Sequence, residues 1–181
     1  MYQPIIIGKE YITKKGPIIK CGNHRHAFDQ LPVLVSTRRT VHYMAKKEYF
    51  DGHGAWFFKL VGCIPVDRSI HDEKAKARAL NILKNGGAIG IFPEGTRNKT
   101  IGTKGEVILL PFKFGAVSMA KKTDATIVPF GLMGDHTIKN KNLTLIFGKP
   151  FKVGNMTLEE ANKLLEEKIK TLVMKAGGIN E

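Results

Sequence analysis

Ten residues, CGNHRHAFDQ from Cys21 to Gln30, hold two histidines and an aspartate whose spacing admits three readings. His24 and His26 could chelate a metal, His24 and Asp29 could form an acid–base pair, or the group could be an ordinary polar turn. On a strand, His24 and His26 would point to one side, but no third ligand follows at a recognisable spacing and a metal is not expected. The pair has the spacing H-x-x-x-x-D. Residues i and i+5 of a continuous helix lie about 140° apart and do not face each other. The two side chains can meet only if His24 occupies a turn after a strand and Asp29 the first turn of a following helix. Strand-to-helix junctions are where open α/β sheets place their sites. A carboxylate bonded to one imidazole nitrogen fixes the tautomer and leaves the other nitrogen to accept a proton from a hydroxyl. On spacing alone the polar turn is the commoner outcome.

A second group of candidates is FPEGTRN, Phe92–Asn98, directly after the apolar run AIGIF. Pro, Gly, Thr and Asn make it a loop at a strand end. Backbone amides around Gly95 could form an anion nest and Arg97 could fork onto a phosphate; a surface turn with a local ion pair between Glu94 and Arg97 is the plain alternative. The following residues, GTRNKTIGTKGE, contain no Walker A loop. GCIPVDR, Gly62–Arg68, ends a short apolar run in a charge pair, and TIVPF, 126–130, reads as a proline-bearing strand at a sheet edge.

The elements that must position these residues alternate. PIIKC (17–21), VHYMAK (41–46), IPVD (64–67), AIGIF (88–92), TIVPFGL (126–132) and LTLIFGKP (143–150) read as strands. One helix is expected around the proline of AFDQLPVLVSTRR, and residues 48–63 read as helix or loop broken by glycines. HDEKAKARALNILKN (71–85) places acids first and bases last, matching the helix dipole. A helix is expected from Phe114 onward. The clearest helix is 157–178, with a Thr157/Glu160 capping box and an apolar stripe of Leu158, Ala161, Leu165, Ile169, Leu172 and Val173. This alternation predicts an α/β sheet covered by helices, and the length predicts a single domain over 1–181.

Composition narrows the partners. The 181 residues carry 29 basic and 16 acidic side chains, a net charge of +13, and are 43% hydrophobic. A surface this basic favours an anionic partner: nucleic acid, an anionic membrane surface or a phosphate-bearing substrate. Cys21 and Cys63 stand in unrelated settings and read as reduced thiols. No window reaches the ~18 apolar residues of a spanning helix, so the expectation is a protein that is soluble or lies on a membrane without crossing it. A basic nucleic-acid-binding module would explain the charge, but no RNA-binding or helix-turn-helix signature is visible.

Taken in order, the four features resemble the glycerolipid acyltransferases, specifically the 1-acylglycerol-3-phosphate acyltransferase family. Asn23, His24 and Asp29 match its N-H-x-x-x-x-D motif; Gly62, Ile64 and Arg68 its G-x-I-x-x-x-R motif; Phe92–Arg97 its F-P-E-G-T-R motif; Ile127, Val128 and Pro129 its I-V-P strand. PFKFGA (111–116) is similar to a basic segment that follows the third motif. The match spans about 16–150, with the helix 157–176 beyond it. Pro65 replaces a bulky apolar residue of the second motif, and the first motif begins at Asn23, without the hydrophobic segment that many members carry ahead of it.

The resemblance implies a mixed sheet flanked by helices, of the glycerol-3-phosphate acyltransferase type. It implies transfer of an acyl group from acyl carrier protein or acyl-CoA to the sn-2 hydroxyl of 1-acyl-sn-glycerol-3-phosphate, giving phosphatidic acid, with no cofactor, metal or nucleic acid. His24 would be general base and Asp29 its orienting partner; Arg68, Glu94, Gly95, Thr96 and Arg97 would hold the glycerol phosphate. Backbone amides near the EGTR loop would stabilise the oxyanion. Glycerol-3-phosphate, another lysolipid or an amino-lipid are alternative acceptors. A lipid acceptor implies peripheral attachment to the cytoplasmic face of a membrane, for which Trp56, Phe57 and Phe58 form a candidate interfacial wedge. The same aromatics would equally suit a core.

Overall fold

The computed structural model describes residues 4–67, 69–70, 72–100, 107–134, 136 and 143–179. Among these residues, seven strands form one sheet: β1 (Ile5–Ile7), β2 (Ile18–Gly22), β3 (Val41–Lys46), β4 (Ile64–Val66), β5 (Ala88–Ile91), β6 (Thr126–Met133) and β7 (Thr144–Phe147). Their order across the sheet is β1-β7-β6-β2-β5-β3-β4. Every neighbouring pair is parallel except β6 and β7. This is the mixed α/β sheet with flanking helices that the resemblance implies. β2 lies at its centre, in register with Ala88–Ile91 on one side and Thr126–Phe130 on the other. It is buried throughout, Lys20 included, and its other residues are apolar or glycine, without the alternation of a half-exposed strand.

Among the described residues, five helices connect and cover the strands: α1 (Gln30–Val35), α2 (Ala55–Leu60), α3 (Glu73–Lys84), α4 (Gly115–Thr123) and α5 (Leu158–Ile179). Ile19, Cys21, Ile89 and Ile127 point to the face packed by Ala75, Ala79 and Leu83 of α3, Ala116 and Val117 of α4, and Leu165 and Ile169 of α5. Ile18, Val128, Phe130 and Phe147 point to the opposite face, where Val33 of α1 and Tyr43 of β3 complete the core. The helix signals read as expected. Asp72 caps α3 by accepting from the Ala75 N–H at 2.9 Å. Thr157 and Glu160 exchange the two bonds of a capping box, at 3.1 and 2.8 Å, and α5 runs to Ile179, a turn past 176.

One reading changes, that of β6, and two stretches gain detail. The edge strand β1 had no sequence signal beyond a three-residue isoleucine run. Residues 48–63 divide into a 3-10 turn over Lys47–Phe50 and α2, with Gly52 and Gly54 between. The proline-bearing strand β6 is interior, not at an edge. It is tolerated there because the Pro129 carbonyl, accepting from the Gly148 N–H at 2.8 Å, faces the β7 side at the point where the ladder has ended at Phe130 and Phe147. The missing N–H therefore falls where no ladder bond is required.

α5 packs on β6 so closely that a Cβ at Gly131 would run into the backbone of Leu172 and Val173. Backbone atoms cannot swing aside as a side-chain end can. Gly131→Ala is therefore expected to lower stability by about 1–3 kcal/mol, the range for overpacking a filled interior, measured by chemical denaturation. An unchanged midpoint would show that α5 docks more loosely than this.

Candidate active site

The carboxyl ends of β2, β5 and β6 converge on one edge of the sheet. Asn23 follows β2 and continues its pairing through the side chain: its Nδ2 donates to Leu132 O, and its Oδ1 accepts from Leu132 N–H, both at 2.8 Å. The amide thus mimics one more strand residue and ties the end of β2 to the end of β6. The next residue, His24, starts the turn, and Asp29 stands at the N-cap position of α1. This is the turn-plus-helix geometry that the spacing demanded. His24 Nδ1 lies 3.0 Å from Asp29 Oδ2.

Asp29 is only 2% exposed. Its Oδ2 also accepts from the backbone N–H groups of Arg25 at 2.6 Å and His26 at 2.7 Å. Its Oδ1 accepts from Nε2 of His136 at 2.7 Å. Burial alone would push this carboxyl up. The bonds from His24, His26, Arg25 and His136 outweigh it and hold the pKa below the ordinary aspartate value. An ionised carboxylate only accepts, so the facing nitrogen of each histidine carries the proton. For His24 this leaves Nε2 as a lone-pair acceptor on a side chain 17% exposed. The His24 ring stacks on Phe92 at 4.1 Å and 11°, and Phe92 in turn stacks on Tyr43 at 5.4 Å.

The loop after β5 clamps the same segment. Glu94 is 3% exposed. Its Oε1 accepts from the His24 N–H at 3.0 Å, and its Oε2 from Asn98 Nδ2 and Leu110 N–H, both at 2.9 Å. Asn98 N–H donates back to His24 O at 2.7 Å. The Glu94 carboxylate therefore braces the histidine turn with three bonds from the protein, where the resemblance had it hold the glycerol phosphate. The Gly95 N–H donates to Phe92 O at 3.0 Å, so that amide serves the turn rather than an anion nest. Thr96 and Arg97 are exposed, and Lys113 lays its side chain over Gly95. Arg68 lies outside the described residues. Asn23, Arg25, Glu94, Asn98 and Met133 line a small cleft beside the pair.

Cys21 sits one turn of chain before His24, but burial pushes its thiol far up, which leaves it without thiolate reactivity. Among the described residues, no cluster of three or more His, Cys, Asp and Glu side chains could hold a metal. On α2, Trp56 and Leu60 are 65% and 75% exposed and Phe57 is also exposed. Phe58, half-buried, stacks on Tyr49 at 5.3 Å and is the least exposed of the three wedge candidates. The residue that spacing did not reveal is His136.

A parallel-centred sheet thus carries a His–Asp pair and a braced FPEGTR loop at its carboxyl edge. The chain belongs to the acyltransferase family, whose model, described as Acyltransferase, matches residues 3–133. It is similar to the 1-acyl-sn-glycerol-3-phosphate acyltransferase of Borreliella burgdorferi, 32% identical over 165 residues, covering 90% of this chain and 64% of that one. The Bacillus subtilis protein of the same name is 36% identical over 117 residues, 61% of this chain and 54% of the other. The chain thus spans between about half and two-thirds of the length of these relatives. Its fold matches the crystal structure of the 1-acyl-sn-glycerophosphate acyltransferase PlsC from Thermotoga maritima. The TM-score is 0.75 at 24% identity, over 98% of this chain and 72% of that one. Among the described residues, no helix is long and apolar enough to cross a membrane.

The depressed Asp29 pKa carries a sign. Its stabilisation is fully present above the unfolded carboxylate value of about 3.9 and is lost as pH falls below that value toward the folded one. Asp29→Asn is expected to be less stable than the unaltered protein by about 1.5–3 kcal/mol at neutral pH, with the gap narrowing as the pH falls below the unfolded carboxylate value. Denaturant unfolding of both proteins across that range tests it; a gap independent of pH would mean the carboxylate charge is not what the site holds.

Proposed function

We propose that this chain transfers a fatty acyl group from an acyl thioester, on acyl carrier protein or coenzyme A, to the sn-2 hydroxyl of 1-acyl-sn-glycerol-3-phosphate, making phosphatidic acid. The observation that carries the reading is the His24–Asp29 pair, with Nε2 of His24 left as a base. The acceptor oxygen attacks the thioester carbonyl while His24 Nε2 takes its proton; collapse of the tetrahedral intermediate breaks the C–S bond, and the leaving sulfur takes that proton from the imidazolium. Asp29 holds the tautomer and stabilises the transient charge, as in triad logic, with the substrate hydroxyl in place of a serine. Arg97 and Thr96, exposed at the loop tip, and Arg68 hold the glycerol phosphate. Glu94 acts on the substrate only through the loop it braces. The family membership and the names of the relatives support this reading.

Purified protein supplied with lysophosphatidate or glycerol-3-phosphate, and with acyl carrier protein or coenzyme A thioesters, tests acceptor and donor together. His24→Ala is expected to lose at least about 10²–10⁴-fold in kcat, the range for a positioned general base, with its unfolding midpoint kept. An active His24→Ala enzyme would sink the assignment.

A lipid acceptor also asks for contact with a membrane surface, in this reading the cytoplasmic face. Trp56, Phe57 and Leu60 supply an exposed apolar group on α2, and Lys46, Lys47 and Lys59 lie nearby in sequence. Each basic residue near an anionic surface adds about 1 kcal/mol, and an amphipathic helix adds its buried apolar area. Sedimentation with phosphatidylglycerol vesicles is expected to fall on Trp56→Ala/Phe57→Ala and to weaken with salt. Binding that survives both changes would place the contact elsewhere.

A further inference from the structure

His136 belongs to none of the four motifs, yet it makes the one described contact to Asp29 Oδ1, 2.7 Å from its Nε2 and across 107 residues of sequence. Its side chain is 7% exposed. Three features place it there. The two bonds between Asn23 and Leu132 fix the end of β6 against the end of β2, four residues before His136. Gly134, two residues before it, has φ 112, a backbone conformation that residues bearing a side chain rarely adopt. The ring finally stacks on His26, at 4.5 Å between centroids and 20° between planes.

From this geometry we infer that His136 is a positioning residue for acyl transfer, setting the plane of the Asp29 carboxylate and through it the aim of the His24 base. The inference rests on the His24 reading above. Oδ2 of Asp29 already gathers three donors from the turn Arg25–His26 and from His24. Bonds to a single oxygen leave the carboxylate free to rotate about the axis that they define, since the torsion at its sp² terminus is broad. A donor on the second oxygen removes that rotation. The direction of the Oδ2 lone pair then fixes the direction of the His24 Nδ1–H bond, and so the line along which Nε2 meets a hydroxyl. Phe92 holds the same ring from its face. Asp29 and Phe92 therefore fix the imidazole from edge and face, and His136 makes the edge constraint rigid. His26 falls into place as well: its N–H holds Oδ2 while its ring limits the swing of His136.

Four full-length variants, His24→Ala, His136→Ala, His136→Gln and His136→Phe, assayed with lysophosphatidate and an acyl thioester, test this. His136→Ala is expected to lower kcat by about 10²-fold, the scale of a roughly 1 Å misplacement at a reacting group, with KM changed less than about twofold. His136→Gln, whose amide nitrogen can donate from the position of Nε2, is expected to recover most of that loss. His136→Phe keeps a ring against His26 without a donor and is expected to stay as slow as His136→Ala. Wild-type kcat in His136→Ala overturns the proposal. So does recovery by Phe equal to that by Gln, which would reduce the role to packing, and so does a change confined to KM, which would make His136 a substrate contact. Should His136→Ala fail to fold, the Gln and Phe pair still decides it. An active His24→Ala removes the base and the reading beneath; an inactive His24→Ala beside an unimpaired His136→Ala removes the positioning role alone.

Discussion

A buried carboxylate that must stay ionised organises this end of the molecule. Asp29 is shielded from water, and in that environment each of its lone pairs needs a donor. Hydrogen bonds to a charged group contribute about 1.5–3 kcal/mol each, and removing one partner leaves the charge uncompensated. The donors come from the turn before α1, from His24 and from the chain beyond β6. Meeting that demand forces the backbone from Arg25 to Asp29 into one conformation and pulls β6 toward β2. What looks like a catalytic pair is therefore also a folding constraint, and the imidazole inherits its rigidity.

Glu94 repeats the solution one strand away. It too is a buried acid whose oxygens are taken up by the protein, and one of its three donors is the N–H of His24 itself. Asn98 closes the circuit by donating to the His24 carbonyl. The His24 peptide is thus held at both polar atoms by one loop, while its ring is held by Asp29 and Phe92. In the F-P-E-G-T-R loop, Phe92 stacks on the ring and Glu94 braces the turn, leaving Thr96 and Arg97 facing outward. A single loop can in this way support the His24 imidazole with its inner residues and present charge to solvent with its exposed ones.

Much of this was legible in the sequence because it is local. Strand and helix positions followed from apolar periodicity and caps, as Thr157 and Glu160 illustrate. The impossibility of an i+5 pair on one helix face forced the turn-plus-helix geometry that His24 and Asp29 adopt. What spacing could not reveal is long-range. β1 gives three isoleucines, and only its partner β7 makes them a strand. Pro129 reads as an edge residue until the end of the β7 ladder is known. Glu94 is a ligand only by the resemblance, and its burial depends on where Asn98 and Leu110 fall. His136 is a lone histidine after a glycine, and only the unsatisfied second oxygen of a buried aspartate, had burial been assumed, would have sent a search across the chain for its donor.

The placement of Cys21 bears on which oxygen or sulfur reacts. It lies three residues before His24 in the chain. Strand alternation sends its side chain to the sheet face packed by α3, α4 and α5, with Ile19 and Ile127, while His24 leaves the strand end toward Phe92 and Tyr43, against the opposite core. Buried among apolar atoms, its thiol is pushed far above the range in which a thiolate forms. Under the proposed mechanism the atom facing Nε2 must then arrive with the substrate, and a direct transfer from thioester to hydroxyl, with no acyl-cysteine on this residue, is the course the geometry leaves open.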